Sequence, residues 1–274
     1  MTDQSPTDLD AIAAASFAAL GGHQRAPFSH SRPEFTLDEA YAVTAAVRRA
    51  REEAGAKVIG RKIGFTNRTI WEEYQVYAPM WGYMYDNTVT DLAGLPGGVT
   101  LTQFAEPRIE PEVVFHFATA PEAGLSEREI LDCIDQVAHG FEIVQSIFPN
   151  WSFAPADTVA AYGLHGALFT GPWQDITADR DAWFAKLPAF EIDLLRNGEL
   201  ADHGQASNVL DGPLTALKHL IDLLAEDPNN PQIAAGEIVT TGTLTRAFPV
   251  VAGETWSTAP GDIPLEGISI TFVE

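Results

Sequence analysis

Arg108-Ile-Glu-Pro-Glu-Val-Val-Phe-His-Phe117 is the stretch that decides the fold. Apolar and polar residues alternate along it, and side chains on a strand alternate between its two faces. Ile109, Pro111, Val113, Phe115 and Phe117 fall on one face and Glu110, Glu112, Val114 and His116 on the other. The first face belongs in a core. The second sets two carboxylates side by side, where joint ionisation is unfavourable unless positive charge compensates. A third carboxylate, Glu142, lies in Gly140-Phe-Glu-Ile-Val144 among large apolar residues, and there it needs a partner. Three oxygen donors suit a hard divalent cation such as Mg2+ or Mn2+. The same residues also fit a solvated edge-strand face, with Glu142 paired to an arginine.

Upstream, Lys57–Phe65 reads as a strand. Lys62 shares its face with Gly60 and Gly64, which leave room for a ligand, whereas Arg61 shares the other face with Ile59, Ile63 and Phe65. An exposed edge lysine beside a bulge is the alternative. Residues 8–20 predict an Ala-rich helix ending at Gly21-Gly22. Capping boxes at Thr36–Glu39 and Ser126–Glu129 open helices predicted over 37–54 and 127–138. A further helix is predicted over 213–226. Strands are expected over 80–91, 140–147, 165–171, 189–200, 237–245, 253–257 and 267–273, with a hairpin turn at Asn197-Gly198. The pattern predicts an α+β fold, with a helical N-terminal part over 1–55 and a β-rich catalytic part over 56–274.

The chain has 274 residues, 46% of them hydrophobic, which is ample for a core. Its 38 acidic against 16 basic residues give a net charge of −22. That argues against a nucleic-acid binder, which needs a basic stripe, and against docking on anionic lipid. The single Cys133 excludes an intrachain disulfide and a multi-cysteine metal site. No apolar run reaches the roughly 18 residues of a membrane span. The acidic start, MTDQSPTDLD, lacks a signal layout, so a cytoplasmic protein is expected. No H-E-x-x-H, G-x-S-x-G, phosphate-binding P-loop or G-x-G-x-x-G motif occurs. Among seven histidines, His165 sits before Gly166 at a strand start, an accessible place for acid–base work, and His23 and His30 lie in an irregular early loop.

Taken in order, these segments resemble the fumarylacetoacetate hydrolase superfamily, in its 2-keto-4-pentenoate hydratase and 4-oxalocrotonate decarboxylase branch. The resemblance runs from Arg25-Ala-Pro27 and Thr36–Val43 through Gly60–Thr66, Arg108–Glu112, Phe141-Glu142 and Asp157-Thr-Val159 to Val209–Leu214 and Glu237–Gly242. It implies a mixed β-roll and a Mg2+ or Mn2+ ion held by Glu110, Glu112 and Glu142, with Lys62 as the active-site lysine. On the resemblance and the chemistry together, Lys62 and His165 are the expected catalytic residues, and Arg61, Gly64, Thr241 and Gly242 the expected substrate contacts. A small 2-oxo acid is the expected substrate. Water addition to a conjugated enone leads, with 4-oxalocrotonate-type decarboxylation as the alternative. C–C bond hydrolysis through His30 and Glu34, or a non-catalytic partner subunit, are further readings. A homo-oligomer, or a complex with a pathway enzyme, is implied as well. Two segments depart from the branch. Val76-Tyr-Ala-Pro-Met-Trp81 lacks the acidic residue common there, and Leu164-His165 stand where serines are common.

Overall fold

The computed structural model of the protein describes residues 7–68 and 71–274; the acidic opening residues 1–6 lie outside the described residues. Three helices come first: α1 (Thr7–Ala18), α2 (Phe28–Ser31) and α3 (Leu37–Glu53). The Thr36 capping box forms as the sequence predicts, since the Thr36 hydroxyl accepts from the Glu39 amide while the Glu39 carboxylate accepts from the Thr36 amide. Then come β1 (Val58–Gly64), α4 (Trp71–Tyr74), β2 (Met80–Tyr85), β3 (Val89–Asp91), β4 (Val99–Thr100) and β5 (Arg108–Phe117). The β5 boundaries match the alternating stretch at both ends.

The second capping box forms at Ser126, but α5 (Glu127–Asp132) stops six residues short of the predicted end. Residues 134–138 instead begin β6 (Ile134–Val144), which pairs antiparallel along the whole of β5. Tertiary pairing of Ile134 and Val137, both fully buried, outweighs the local helical signal. Beyond it lie α6 (Pro155–Ala160), β7 (His165–Thr170), β8 (Gln174–Asp175), α7 (Arg180–Lys186), β9 (Glu191–Arg196), β10 (Glu199–Gln205) and α8 (Pro213–Glu226). Asn197 and Gly198 form the β9–β10 hairpin with φ of 53° and 82°, the primed-turn geometry that Asn-Gly favours. The chain ends in β11 (Ile238–Thr240), β12 (Phe248–Pro249), β13 (Thr255–Pro260) and β14 (Ser269–Val273).

Among the described residues, nine strands form one curled mixed sheet, with the path β2-β1-β11-β5-β6-β7-β3 and with β12 on β5 and β8 on β6, and five form a second, β10-β9-β13-β14-β4. This is the α+β, roll-type fold that the sequence implied. Trp81, Tyr83 and Tyr85 on β2 are core residues, with Tyr41 of α3 stacked on Trp81 at 5.4 Å. No helix among the described residues is long and apolar enough to cross a membrane.

His139 of β6 joins the two sheets. Its Nδ1 lies 2.9 Å from the Glu112 carbonyl, which can only accept, so Nδ1 carries the proton. Its Nε2 lies 2.9 Å from the Thr258 hydroxyl of β13. Burial pushes the imidazole down to about 4. Unfolding restores an ordinary value near 6.5. As pH falls from about 6.5 to about 4, the unfolded chain therefore gains a proton that the folded one refuses, and stability drops by up to about 3 kcal/mol. We predict that His139→Gln is less stable than the native protein at pH 7 but that the gap narrows by pH 4.5, in urea unfolding at both values. An unchanged gap would contradict this role.

Candidate active site

The β5–β6 register places Glu110 directly opposite Glu142 and Glu112 opposite Gly140. Like charges so paired are destabilising. One carboxylate oxygen from each of Glu110, Glu112 and Glu142 lies within 4.8 Å of the others, and Glu112 and Glu142 are wholly buried. Lys62 reaches this face from β1, with Nζ 3.4 Å from Glu142 and donating to the Gly163 carbonyl at 3.0 Å. Gly64 makes this possible, because a Cβ there would stand 2.9 Å from the Lys62 ammonium.

Charge is unevenly answered across the cluster. Burial raises Glu110 to about 7, an effect that Lys62 only partly offsets. Burial, then repulsion from Glu142 and Glu110, carries Glu112 well above the usual carboxylate range. Burial would raise Glu142 too, but Lys62 and His165 outweigh it and hold that carboxyl low. Burial would likewise lower Lys62, yet the three glutamates prevail and raise it, so the ammonium stays charged. Glu112 accepts from the Gly242 amide at 2.9 Å through Oε2, while its Oε1 is buried without a protein partner. A buried carboxylate oxygen lacking a donor, inside a set of three hard oxygen ligands, fits a divalent cation.

The other expected residues fall in different places. Arg61 does not join the cluster. It points to the opposite face of β1, where its guanidinium pairs with Glu237 at 2.6 Å and stacks 4.2 Å from the Tyr83 ring, because alternation separates it from Lys62. His165 is not open to the cavity. Its Nδ1 lies 2.8 Å from Glu142 and its Nε2 3.0 Å from the Thr88 hydroxyl, and burial lowers its pKa. It stands behind Glu142 and orients it. Gly242, at φ 102°, spends its amide on Glu112, and a side chain there would strike Thr66. Thr241 is buried beneath, 3.4 Å from the Val113 carbonyl. Neither His30 nor Glu34 lines the cavity beside the carboxylates.

That cavity, of about 40 Å³, is walled by Lys62, Glu110, Phe65, Trp151, Gly163 and Leu164. The last four all hold φ between 53° and 64°, a left-handed conformation that costs non-glycine residues energy and clusters at functional sites. A second cavity of about 210 Å³ shares Arg108, Glu110 and Ala247 with it. Sequence reasoning passed over Arg108 and Trp151. For Arg108 a signal existed, since it lies two residues before Glu110 on the same strand face.

Glu110 carries its own test. Its folded pKa near 7 exceeds an unfolded value near 4.3, so the metal-free protein loses stability as pH rises through that window. Glu110→Gln should therefore stabilise the chelator-treated protein at pH 8 by about 1–3 kcal/mol and much less at pH 4.5, read from urea midpoints. Destabilisation at pH 8 would contradict the crowding.

The family described as fumarylacetoacetate (FAA) hydrolase C-terminal matches residues 61–267. A 2-hydroxyhexa-2,4-dienoate hydratase of Comamonas testosteroni is 29% identical over 253 residues, 91% of each chain. A 4-oxalocrotonate decarboxylase of Pseudomonas sp. (strain CF600) is 30% identical over 241 residues, 86% of each. The solved 4-oxalocrotonate decarboxylase from Pseudomonas putida G7, complexed with magnesium and adipate, superposes with a TM-score of 0.88 at 26% identity, covering 98% of both chains.

Proposed function

The chain belongs to the fumarylacetoacetate hydrolase family, and from that premise we propose that it is a divalent-metal-dependent lyase acting on a small 2-oxo (2-hydroxydienoic) acid. One observation carries the reading: three carboxylates, two of them wholly buried, converge beside a charged lysine at the end of a cavity. Glu110, Glu112 and Glu142 would hold the ion, Mg2+ by preference. When bound, such an ion supplies a Lewis acid that stabilises the negative charge developing on a 2-oxo group. Lys62, kept charged by the glutamates, would bind the substrate carboxylate and fix its orientation. The Gly163 carbonyl and Glu142 hold the Lys62 ammonium in place for this. His165 would act as a positioning residue through Glu142. With His165 sealed away, the Lys62 ammonium is a proton-bearing group that lines the cavity.

Water addition and decarboxylation both use this arrangement, and both occur among the similar proteins. C–C hydrolysis is disfavoured because neither His30 nor Glu34 lines the cavity. Assembly as a homo-oligomer in the cytoplasm completes the proposal.

A paired ultraviolet assay tests it, with 2-hydroxypenta-2,4-dienoate in one cuvette and 2-oxohex-3-enedioate in the other. Turnover of at least one should need Mg2+ and stop with chelator. Glu112→Gln should lower it by at least about 100-fold, and His165→Ala should weaken Mn2+ affinity by about 10–100-fold. Chelator-resistant turnover, or no turnover of either by the Mg2+-loaded protein, would contradict the reading.

A further inference from the structure

We propose that Arg61 is a positioning residue: its ion pair with Glu237 fixes the register of β1 on β11 and so sets Lys62 against the carboxylates. The inference deepens the 2-oxo acid reading above and rests on it for the role of Lys62. Among the described residues, the lysine strand reaches the carboxylate strands only through β11, in the order β1-β11-β5-β6. That bridge has three residues. Gly60, Arg61 and Lys62 stand opposite Ile238, Val239 and Thr240 on one side of it, and His116, Phe115 and Val114 of β5 on the other. The β1–β11 ladder is parallel, and parallel pairing is slightly weaker per residue than antiparallel pairing, so a ladder this short does little to hold register by itself.

A slip of one residue turns every side chain of a strand to the other face. Here it would exchange two bases, Lys62 and Arg61, and the three glutamates would attract either. Glu237 removes the ambiguity. Arg61 is wholly buried, and its guanidinium donates to the Glu237 carboxylate at 2.6 Å and to the Pro231 carbonyl at 3.4 Å. The Glu237 carbonyl in turn accepts from the Phe117 amide at the end of β5 at 3.0 Å. One residue therefore holds β1 by its side chain and β5 by its backbone. From β2, the Tyr83 ring packs 4.2 Å from the guanidinium, and its hydroxyl donates to Asn230 at 2.9 Å, in the segment that leads into β11. Gly60 lets the two strands approach, since a Cβ there would collide with the Ile238 carbonyl.

Stability alone does not account for such a pair. Two apolar side chains of similar volume often serve as well as a buried ion pair, or better. What they lack is the means to distinguish the face that carries Arg61 from the face that carries Lys62.

The test is the double variant Arg61→Met/Glu237→Met, which removes both charges together. Its urea midpoint should lie at or above the native value. Its crystal structure should show the Lys62 ammonium beyond hydrogen-bond reach of the Gly163 carbonyl, which it meets at 3.0 Å in the native chain. Pyruvate binding to the Mg2+-loaded variant, measured by calorimetry, should weaken by about 10–100-fold. The same two substitutions made together with Lys62→Met should weaken binding no further than Lys62→Met alone, because the pair acts through the lysine. If the double variant does not fold, Glu237→Gln is read in the same ways. Lys62 unmoved in the variant, native-like pyruvate binding, or a further loss beyond that of Lys62→Met would overturn the proposal. Failure of the native, Mg2+-loaded protein to bind pyruvate would instead refute the 2-oxo acid reading, and the position of Lys62 in the variant crystal would still decide the proposal.

Discussion

Three carboxylates on one face of the sheet, with a single lysine to answer them, is the constraint on which the rest of the site depends. The β5–β6 register forces it, since Glu110 and Glu142 are cross-strand partners and Glu112 shares their face. Lys62 and His165 suffice for Glu142 alone. Glu110 and Glu112 are left with raised affinities for protons, so in the absence of a cation the cluster is stabilised by holding them. A dication answers the same need. The destabilising charge arrangement and the capacity to bind a hard cation are thus one property of the sheet.

The surrounding backbone is organised around this cluster. The Gly163 carbonyl meets the Lys62 ammonium only because Tyr162, Gly163 and Leu164 all turn through left-handed conformations. Those turns are held from behind by the N-terminal helices. The Tyr162 hydroxyl donates to the Ser16 carbonyl of α1, and the Ser16 hydroxyl donates to the Ala160 carbonyl at 2.5 Å. Ser29 of α2 binds Asp157 through both its amide and its hydroxyl, tying α6 down as well. On the opposite side, Gly242 lets the chain turn at the end of β11 and deliver its amide to Glu112. Helices remote in sequence therefore supply rigidity to the turn that positions the lysine.

Much of this was legible in the sequence. Alternation over 108–117 located β5 and two of the three carboxylates, and an isolated Glu142 in an apolar strand located the third. The glycines flanking Lys62 signalled the space around its side chain. What alternation could not convey was depth. His165 beside Gly166 reads as accessible, but β7 pairing buries it between Glu142 and Thr88. Arg61 is an active-site neighbour in sequence yet belongs to the aromatic core with Tyr83 and Glu237. The α5 helix was read too long because its capping signal is local, whereas the strand that replaces its end is specified by β5 across the sheet. The Arg108–Trp151 stack joins residues 43 positions apart, a proximity that no local pattern encodes.

The most direct measurement is anomalous diffraction at the manganese edge from crystals grown with Mn2+. The account predicts one strong peak, with an oxygen from each of Glu110, Glu112 and Glu142 at about 2.0–2.6 Å, the range of hard divalent ions. Absence of a peak among these three carboxylates at saturating Mn2+, or a peak held by other residues, would contradict it.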